Sequence, residues 1–149
     1  MEQANDPAEF HSYAIEGGNR LMLEKYKNLP IPFRAGYRKE KDARKYFEEN
    51  DSPLLFYELT NEQQKSVVDW CKQFDQIKGF QHHVTSYGMK HDFERSRGGF
   101  HMTNGAFKGA MVVAGFKVED ETELNWFFNI SKRSYNKMWK ETYIEECYE

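Results

Sequence analysis

The stretch SYGMKHDFERSRGGFHMTNGAFKGAMVVAGF, residues 86–116, decides how the rest of this chain is arranged. Its pattern of small residues, aromatic residues and turn signals predicts two short helices joined by a glycine turn. Thr85 or Ser86 can cap the first helix, because a short hydroxyl side chain accepts a hydrogen bond from a free backbone N–H in the first turn. Gly98-Gly99 then ends that helix, since adjacent glycines permit the positive φ that a tight reversal needs.

The second helix of this stretch, predicted over residues 104–114, is expected to be the buried structural centre of the protein. Thr103 or Asn104 can cap its N-terminus. Its residues are nearly all small or apolar, so a neighbouring element can approach it closely, and Lys108 is its only charged residue. Gly115 stands where a left-handed residue commonly ends a helix.

An alternative interpretation of residues 86–114 is a helix-turn-helix motif that binds DNA. In that motif the second helix presents polar side chains to base edges in the major groove. The second helix here offers only Thr103, Asn104 and Lys108 besides apolar or small residues. The connection before it is also longer than the usual turn of about 3–4 residues. The buried helix is therefore the favoured interpretation.

Three segments resemble a pattern found in small proteins of phages and mobile elements. They are SYGMKH at 86–91, GFHMTNGAFKGAMVVAGF at 99–116 and ELNWFFNISKRS at 123–134, and the resemblance covers about residues 60–135. The resemblance implies a counter-defence protein, of which anti-CRISPR proteins are one type. The partner it implies is a CRISPR effector or another defence nuclease of the host. No catalytic residue is carried over from that group.

The composition of the 149-residue chain fits one folded domain. Aromatic residues make up 16% and can supply a core, and the 30% of charged residues predicts a well-solvated surface. We expect residues 1–37 to form an N-terminal arm with a proline-containing connector, and residues 38–149 to form the core of this single domain, 1–149. The predicted fold class is mainly α with a small β element (α+β), a helical bundle with a short strand or hairpin.

Two helices are predicted in the first third of the chain. Asp6-Pro7 suits an N-cap followed by the first helical position, and residues 8–27 can continue as helix. Gly17-Gly18 interrupts that helix, so the segment forms either two short helices or an arm that is loose until something docks on it. The connector at residues 29–33 cannot be helix interior, because its two prolines each remove a hydrogen-bond donor. A strongly charged helix is predicted over Arg38–Asn50.

Two further helices are predicted on either side of the 86–116 stretch. Thr60-Asn61-Glu62-Gln63 matches a capping box and begins the clearest amphipathic helix, which we expect to pack against the 104–114 helix. A last helix begins at Ser131 or Ser134. Its apolar residues near one stripe are Tyr135, Met138, Trp139 and Tyr143.

The β element is predicted at residues 124–130. Apolar and other residues alternate there, which is the period of a half-buried strand. We expect this strand to pair with residues 99–102 or with residues 54–57. Residues 52–59 form either a strand or the lead-in to the next helix, because periodicity cannot decide over so short a run.

The sequence contains no motif of a known catalytic or cofactor site. It lacks the P-loop, nucleophile-elbow, HExxH and paired CxxC patterns. Cys71 and Cys147 are spaced neither as metal ligands nor as a redox pair. We expect both to be free thiols in a reducing compartment.

A cluster of histidines raises two further hypotheses, a metal site and an acid–base group. The cluster consists of His82, His83, His91 and His101. Zinc sites use shorter paired spacings and usually include cysteine or carboxylate ligands. An acid–base group of His91, Glu94 and Tyr87 lacks a nucleophile directed at it. We therefore expect no catalytic residue, no cofactor and no metal, and leave the role of the cluster open.

Two basic segments with interleaved aromatic residues form the predicted contact surface, in a chain with a formal net charge of −3. They span residues 34–45 and 131–140. Arg and Tyr bring large contact areas to interfaces, and such segments can also hold a phosphate backbone and stack on bases. The predicted partner-binding residues are Arg34, Tyr37, Arg38, Lys41, Arg44, Lys132, Arg133 and Lys137.

The predicted function is that of a small non-enzymatic interaction protein of phage or mobile-element type, which binds and modulates a host macromolecule. The expected partner is a host protein. The most specific form of this expectation is a CRISPR effector or another defence nuclease. The alternative is a nucleic-acid-binding module that uses residues 34–45 and 131–140. An enzyme built on the histidine cluster ranks third. The identity of the partner and the oligomeric state stay open.

The cellular location is predicted from two absent patterns. The sequence contains no run of about 18 apolar residues, the length that would indicate a membrane span. The N-terminal residues MEQANDPAEF lack the charged and then apolar pattern of a signal peptide. We therefore expect no membrane contact and a location in the cytoplasm of the host cell.

Overall fold

The computed structural model describes residues 22–148, with side chains described from residue 22 to residue 143. Residues 22–24 are helical, and most of the helix predicted over residues 8–27, with its Asp6-Pro7 start, lies outside the described residues. The elements that follow are α1 (Ala43–Asn50), a 3₁₀ helix (Pro53–Glu58), α2 (Asn61–Cys71), α3 (Ser86–Arg95), α4 (Asn104–Val113) and α5 (Lys132–Tyr148). The prediction of a mainly helical fold is confirmed.

Helix α4 is the centre of the fold, as its sequence predicts, and all ten of its residues are buried. The Thr103 hydroxyl caps it by accepting a hydrogen bond from Ala106 N at 3.0 Å. At the other end Gly115 has a φ of +106°. Phe116 N donates to Met111 O at 3.1 Å and Gly115 N donates to the preceding turn, which is the glycine-ended helix terminus that the sequence indicates.

The closest neighbour of α4 is the chain around the start of the 3₁₀ helix. A Cβ atom on Gly105 would lie 2.3 Å from the Ser52 carbonyl oxygen, and one on Gly109 would lie 2.4 Å from the Pro53 carbonyl oxygen. Both distances are far shorter than any Cβ contact allows, so only glycine permits this approach. Residues 52–59, left open between strand and helix lead-in, therefore form a 3₁₀ helix that packs directly on α4.

Helices α2 and α3 also pack against α4. The capping box of α2 is confirmed, since Gln63 N donates to Thr60 Oγ1 at 3.1 Å and Thr60 N donates to Gln63 Oε1 at 3.0 Å. Between α2, α3 and α4 lies the indole of Trp70, whose ring centroid is 5.5 Å from that of Phe93 and 6.0 Å from that of Phe107. The predicted packing of α2 on α4 is correct.

The predicted start of α1 is wrong, because the helix begins at Ala43 and not at Arg38. Residues 35–43 instead form successive turns, in which Arg38 N donates to Ala35 O at 3.0 Å and Ala43 N donates to Glu40 O at 3.1 Å. Charge spacing suggests a continuous helix, but this part of the chain has few apolar residues to bury along one helix face. Its path follows tertiary contacts instead.

The predicted strand at residues 124–130 is also wrong, because the described residues 22–148 contain two isolated β-bridges and no strand. The bridges join Val118 to Phe128 and Gln76 to Ile130, so the segment lies between residues 117–119 and 75–77. It does not pair with residues 99–102 or 54–57. The alternation reflects burial, since Trp126, Phe128 and Ile130 are fully buried.

The Asn129 side chain adds hydrogen bonds to both neighbours of this segment. Its Oδ1 accepts a hydrogen bond from Lys117 N at 2.8 Å, and its Nδ2 donates to Gln76 Oε1 at 3.1 Å. The Asn129 backbone bonds the same neighbours, since its N–H donates to Lys117 O at 3.3 Å and its carbonyl oxygen accepts from Ile77 N at 2.9 Å. The segment is held on both sides without becoming part of a sheet.

Helix α5 begins at Lys132, and Ser131 Oγ accepts a hydrogen bond from Ser134 N at 3.1 Å. It is tied to α3 through Asp92, whose carboxylate accepts hydrogen bonds from the hydroxyls of Tyr135 and, at 2.6 Å, of Tyr143. No helix within residues 22–148 combines the length and apolar character needed to cross a membrane.

The close approach at Gly109 gives the first prediction. Gly109→Ala should lower the free energy of unfolding by about 1–3 kcal/mol, because the new methyl group overlaps a backbone oxygen that cannot turn away. Alanine is the better helix former by about 1 kcal/mol, so an exposed site would give the opposite sign. Chemical denaturation measures the change. Gly79→Ala is the control, since no atom lies within 4 Å of a Cβ there; equal stability of the two variants would contradict the packing.

Candidate functional site

The first predicted contact segment, residues 34–45, is largely engaged in holding the fold. Three of its five predicted partner-binding residues have partners within the chain. The contacts are Arg34 Nε to Glu123 Oε1 at 3.6 Å, Tyr37 OH to Asp51 Oδ2 at 2.5 Å, and Arg44 Nη1 to Leu29 O at 2.9 Å and to Glu48 Oε2 at 3.2 Å. A partner protein would have to compete with these contacts.

Beside these contacts, the pair of side chains formed by Arg38 and Phe33 remains accessible to a partner. The Arg38 guanidinium lies 4.9 Å from the ring centroid of Phe33, and Phe33 is 80% exposed. Lys41 is exposed nearby in sequence. An arginine stacked on an exposed aromatic ring retains its donors for a partner.

The second predicted segment, residues 131–140, forms a basic face on α5. Its predicted residues Lys132, Arg133 and Lys137 line an open groove of about 1110 Å³ together with Lys140. Within the described part of the chain, none of these four cations has a carboxylate at ion-pair distance. Trp139 beside them is 47% exposed, and its ring lies 4.4 Å from that of Tyr143.

The two segments attach to different parts of the molecule. The side chains of residues 34–45 contact residues 29, 48, 51 and 123. Helix α5 contacts the turn after α2, where Asp75 N donates to Ser134 Oγ at 3.1 Å, and contacts α3 through Asp92. The contacts of the two segments therefore do not join them into one surface.

The four clustered histidines are divided between separate contacts. His82 Nε2 lies 2.8 Å from Glu119 Oε1, and the His83 ring lies beside that of Tyr135. His91 Nδ1 and His101 Nδ1 lie 3.3 and 3.2 Å from the two oxygens of Glu94. Among residues 22–148, no three or more His, Cys, Asp or Glu residues are grouped so that they could hold a metal ion.

The Glu94 carboxylate is the common contact of His91 and His101. Its Oε2 also accepts hydrogen bonds from Met102 N at 2.9 Å and from Lys90 Nζ at 3.1 Å. Burial alone would raise the pKa of Glu94, but the hydrogen bonds from Met102 and Lys90 outweigh it and lower that pKa. The carboxylate therefore stays charged and holds Lys90, which is only 5% exposed.

A cleft of about 440 Å³ lies beside Glu94, and sequence reasoning missed it. The three segments quoted above as a motif meet there. The polar side chains that line the cleft include Asp51, Tyr87, Lys90, His101, Asn104 and Asn125. Buried polar side chains gathered at a cleft are the usual sign of a binding site.

A chain of hydrogen bonds fixes one wall of this cleft. Trp126 N donates to Ser86 Oγ at 3.0 Å, and Ser86 Oγ donates to Asn104 Oδ1 at 2.9 Å. Asn104 Nδ2 in turn donates to Asn125 Oδ1 at 3.0 Å and to Asp51 Oδ1 at 3.1 Å. Each donor in the chain sets the orientation of the next side chain.

Lys108 is a buried cation behind the same wall. Its Nζ donates to Leu124 O at 3.1 Å and lies 4.6 Å from the Trp126 ring centroid. Burial lowers the pKa of Lys108 to about 8, and the nearby charge of Asp51 opposes that change. The one charged residue of α4 is thus held by a carbonyl oxygen, an aromatic face and a carboxylate.

Comparison of the chain with protein-family models, with curated proteins and with solved structures gave no match.

Buried Lys108 gives the second prediction. Its pKa is lower in the folded state than its ordinary value of 10.5, so between about pH 8 and 10.5 this side chain binds more protons in the unfolded chain, and its contribution to stability rises with pH. From pH 7 to pH 9 the expected contribution to the free energy of unfolding is an increase of about 1 kcal/mol. Urea unfolding at the two pH values measures it.

The comparison that isolates this effect uses two lysine substitutions. Lys108→Met removes the titrating group and should reduce the increase by the same amount. Lys117→Met, at an exposed lysine, should leave the increase as it is in the wild-type protein. An identical pH dependence in all three proteins would contradict the buried charge.

Proposed function

We propose that this protein is a small non-enzymatic interaction protein that binds and modulates a host macromolecule through the basic face of α5. The partner surface is an acidic patch on a protein. The observation that carries the proposal is the set of exposed cations on α5 that have no ion-pair partner in the described part of the chain. They are Lys132, Arg133, Lys137 and Lys140.

Unpaired exposed cations suit intermolecular contact for an energetic reason. A partner carboxylate that meets them does not have to displace an existing internal ion pair. On residues 34–45, by contrast, Arg34 and Arg44 already contact carboxylates. Of the two predicted surfaces, α5 is therefore the better contact surface, with the Arg38–Phe33 pair as the second.

The aromatic residues of α5 add binding energy that charge alone does not supply. Trp139 is about half exposed and packs on Tyr143, whose hydroxyl is fixed by Asp92. A tryptophan that is already held in place loses little conformational entropy when a partner covers it. Tryptophan and arginine are the residue types that most often dominate interface energetics.

The charge distribution favours an acidic protein over nucleic acid as the partner. The groove along α5 also contains Asp75 and Glu141, and the whole chain has a formal net charge of −3. A nucleic-acid backbone presents a continuous row of phosphates and requires a broad basic footprint. A local acidic patch on a protein requires only a local basic face.

Two further considerations support the non-enzymatic and host-directed parts of the proposal. In the cleft, both oxygens of Asp51 and of Glu94 already accept hydrogen bonds or contact histidines, which suits these carboxylates to holding the fold. The resemblance of the motif segments to phage and mobile-element proteins supports a host target. The most specific target that we propose is a CRISPR effector or another defence nuclease.

The third prediction tests the basic face. The tagged protein should capture a partner from a host lysate, and nuclease treatment should leave that partner bound. Lys137→Glu with Lys140→Glu should then weaken binding to the purified partner, mainly through slower association, because charged residues at an interface steer encounter. Kinetic binding measurements at two salt concentrations give the association and dissociation rates.

A matched charge change elsewhere controls for net charge. Lys27→Glu with Lys117→Glu alters two exposed lysines outside both segments and should leave the association rate within about a factor of two to three. Equal effects of the two double variants would contradict a specific face on α5. Loss of all captured material after nuclease treatment, with binding that falls by about one log unit per log unit of salt for each phosphate contacted, would favour the nucleic-acid module instead.

A further inference from the structure

The cleft beside Glu94 contains hydrogen-bond donors that the fold does not use. Its buried side is formed by Asp51, Lys90 and Asn104, and its open side by Tyr87 and His101. Two hydrophobic residues, Met102 and Leu124, also line the cleft. What such a cleft can bind depends on which of its polar atoms remain without a partner.

The two carboxylates at the cleft, Asp51 in its lining and Glu94 beside it, already accept hydrogen bonds. Asp51 accepts from Tyr37 OH on one carboxylate oxygen and from Asn104 Nδ2 on the other. Glu94 accepts from Lys90 Nζ and Met102 N. A ligand that brings hydrogen-bond donors would therefore have to compete for these carboxylates.

The donors are only partly occupied, and Asn125 is the clearest case. Because Asn104 Nδ2 donates to Asn125 Oδ1, the orientation of the Asn125 amide is fixed and its Nδ2 is the remaining polar atom. No acceptor lies at hydrogen-bond distance from that Nδ2 within the described part of the chain. Asn125 lines the cleft, so both N–H groups of its amide are available to a ligand.

Lys90 supplies the charged donor. An ammonium group has three N–H donors, and the Lys90 ammonium uses one of them on Glu94 at 3.1 Å. The Tyr87 ring centroid lies 5.3 Å from Nζ, so the ring faces the same cation. A buried ammonium with a free donor gains energy from any anion that reaches it, because hydrogen bonds between charged groups are the strong ones.

We infer that this cleft binds a small molecule through a carboxylate group, held by Lys90 Nζ and Asn125 Nδ2. The N-terminus of α4, which also lines the cleft at Thr103 and Asn104, adds the positive end of a helix dipole. The exposed Tyr87 ring and the side chains of Met102 and Leu124 contact the apolar part of the ligand.

A carboxylate fits these walls better than a phosphate dianion. The two cations around the cleft, Lys90 and Lys108, are matched by the two carboxylates Glu94 and Asp51. The neutral amide donors and the helix dipole can accommodate one additional negative charge. A second negative charge would be repelled by both carboxylates at short range.

This site is separate from the basic face on α5, so it does not depend on the function proposed above. The probe is sodium butyrate, which has one carboxylate and a short apolar chain, added to the isotope-labelled full-length protein at constant ionic strength with sodium chloride. Nuclear magnetic resonance should show saturable shifts of the Lys90, Met102 and Asn104 backbone amides and of the Asn125 side-chain amide. Inorganic phosphate is titrated in the same way and should bind more weakly.

Two substitutions test the assigned donors. Asn125→Asp keeps an oxygen that accepts from Asn104 but replaces the free donor with a second acceptor, so butyrate affinity should fall by about tenfold or more. Asn136→Asp adds the same charge at an exposed site on α5 and should leave affinity unchanged. Lys90→Met should also lower the affinity at least as much, provided that its amide spectrum shows a folded protein.

The results of these titrations distinguish binding in the cleft from screening of the surface charge. Saturable shifts confined to the cleft and lost in Asn125→Asp support the site. Absence of saturation, or shifts that instead follow residues 132–140, would mean that the anion only screens the surface charge and would overturn the inference. Tighter binding of phosphate than of butyrate would overturn the carboxylate assignment.

Discussion

The direct contact between the glycines of α4 and the backbone of residues 51–53 is the constraint on which the rest of the structure depends. Because Gly105 and Gly109 have no side chains, the start of the 3₁₀ helix lies against α4 at distances that a Cβ atom would prevent. That approach places the Asp51 carboxylate at the N-terminal end of α4, where Asn104 donates to it at 3.1 Å. The same carboxylate is near enough to Lys108 to offset part of the effect of burial on its pKa. The close packing of the backbone on α4 therefore also positions the Asp51 carboxylate among the buried polar side chains.

The buried charges of this protein cost stability and are retained around a single cleft. A lysine in the interior has to be desolvated, and its attraction to a carboxylate often does no more than balance that cost. What the lysines and asparagines add is a fixed orientation for every donor from Ser86 to Asn125. Such fixed polar groups are useful where a ligand must be held in one position.

Local signals were enough to predict the helix ends but not the cleft. The caps at Thr60 and Thr103 and the glycine at residue 115 act within four or five residues of the chain, so their effects are readable from sequence. The start of α1 and the segment 124–130 depend on contacts with distant residues, and there the predicted helix start and strand were wrong. The cleft joins residues 51, 86, 104 and 125, which no spacing rule connects. Lys108 was the one signal of buried polar groups that the sequence contained, because a single charged residue in an otherwise apolar helix requires a buried partner.

Helix α3 is the element that the cleft and the basic face have in common. Lys90 faces the cleft, whereas Asp92, two residues further along, accepts the hydroxyls of Tyr135 and Tyr143 from α5. Residues two apart on a helix point in nearly opposite directions, so α3 lies between the two sites with one side directed at each. A ligand on Lys90 would therefore contact one side of this short helix, and the other side contacts α5, whose basic face binds the partner. If binding at one site shifts or orders α3, then by thermodynamic linkage each ligand must change the affinity of the other by the same factor. Asp92 is the residue through which that effect would pass, because it is the side chain of α3 that is bonded to both tyrosines of α5.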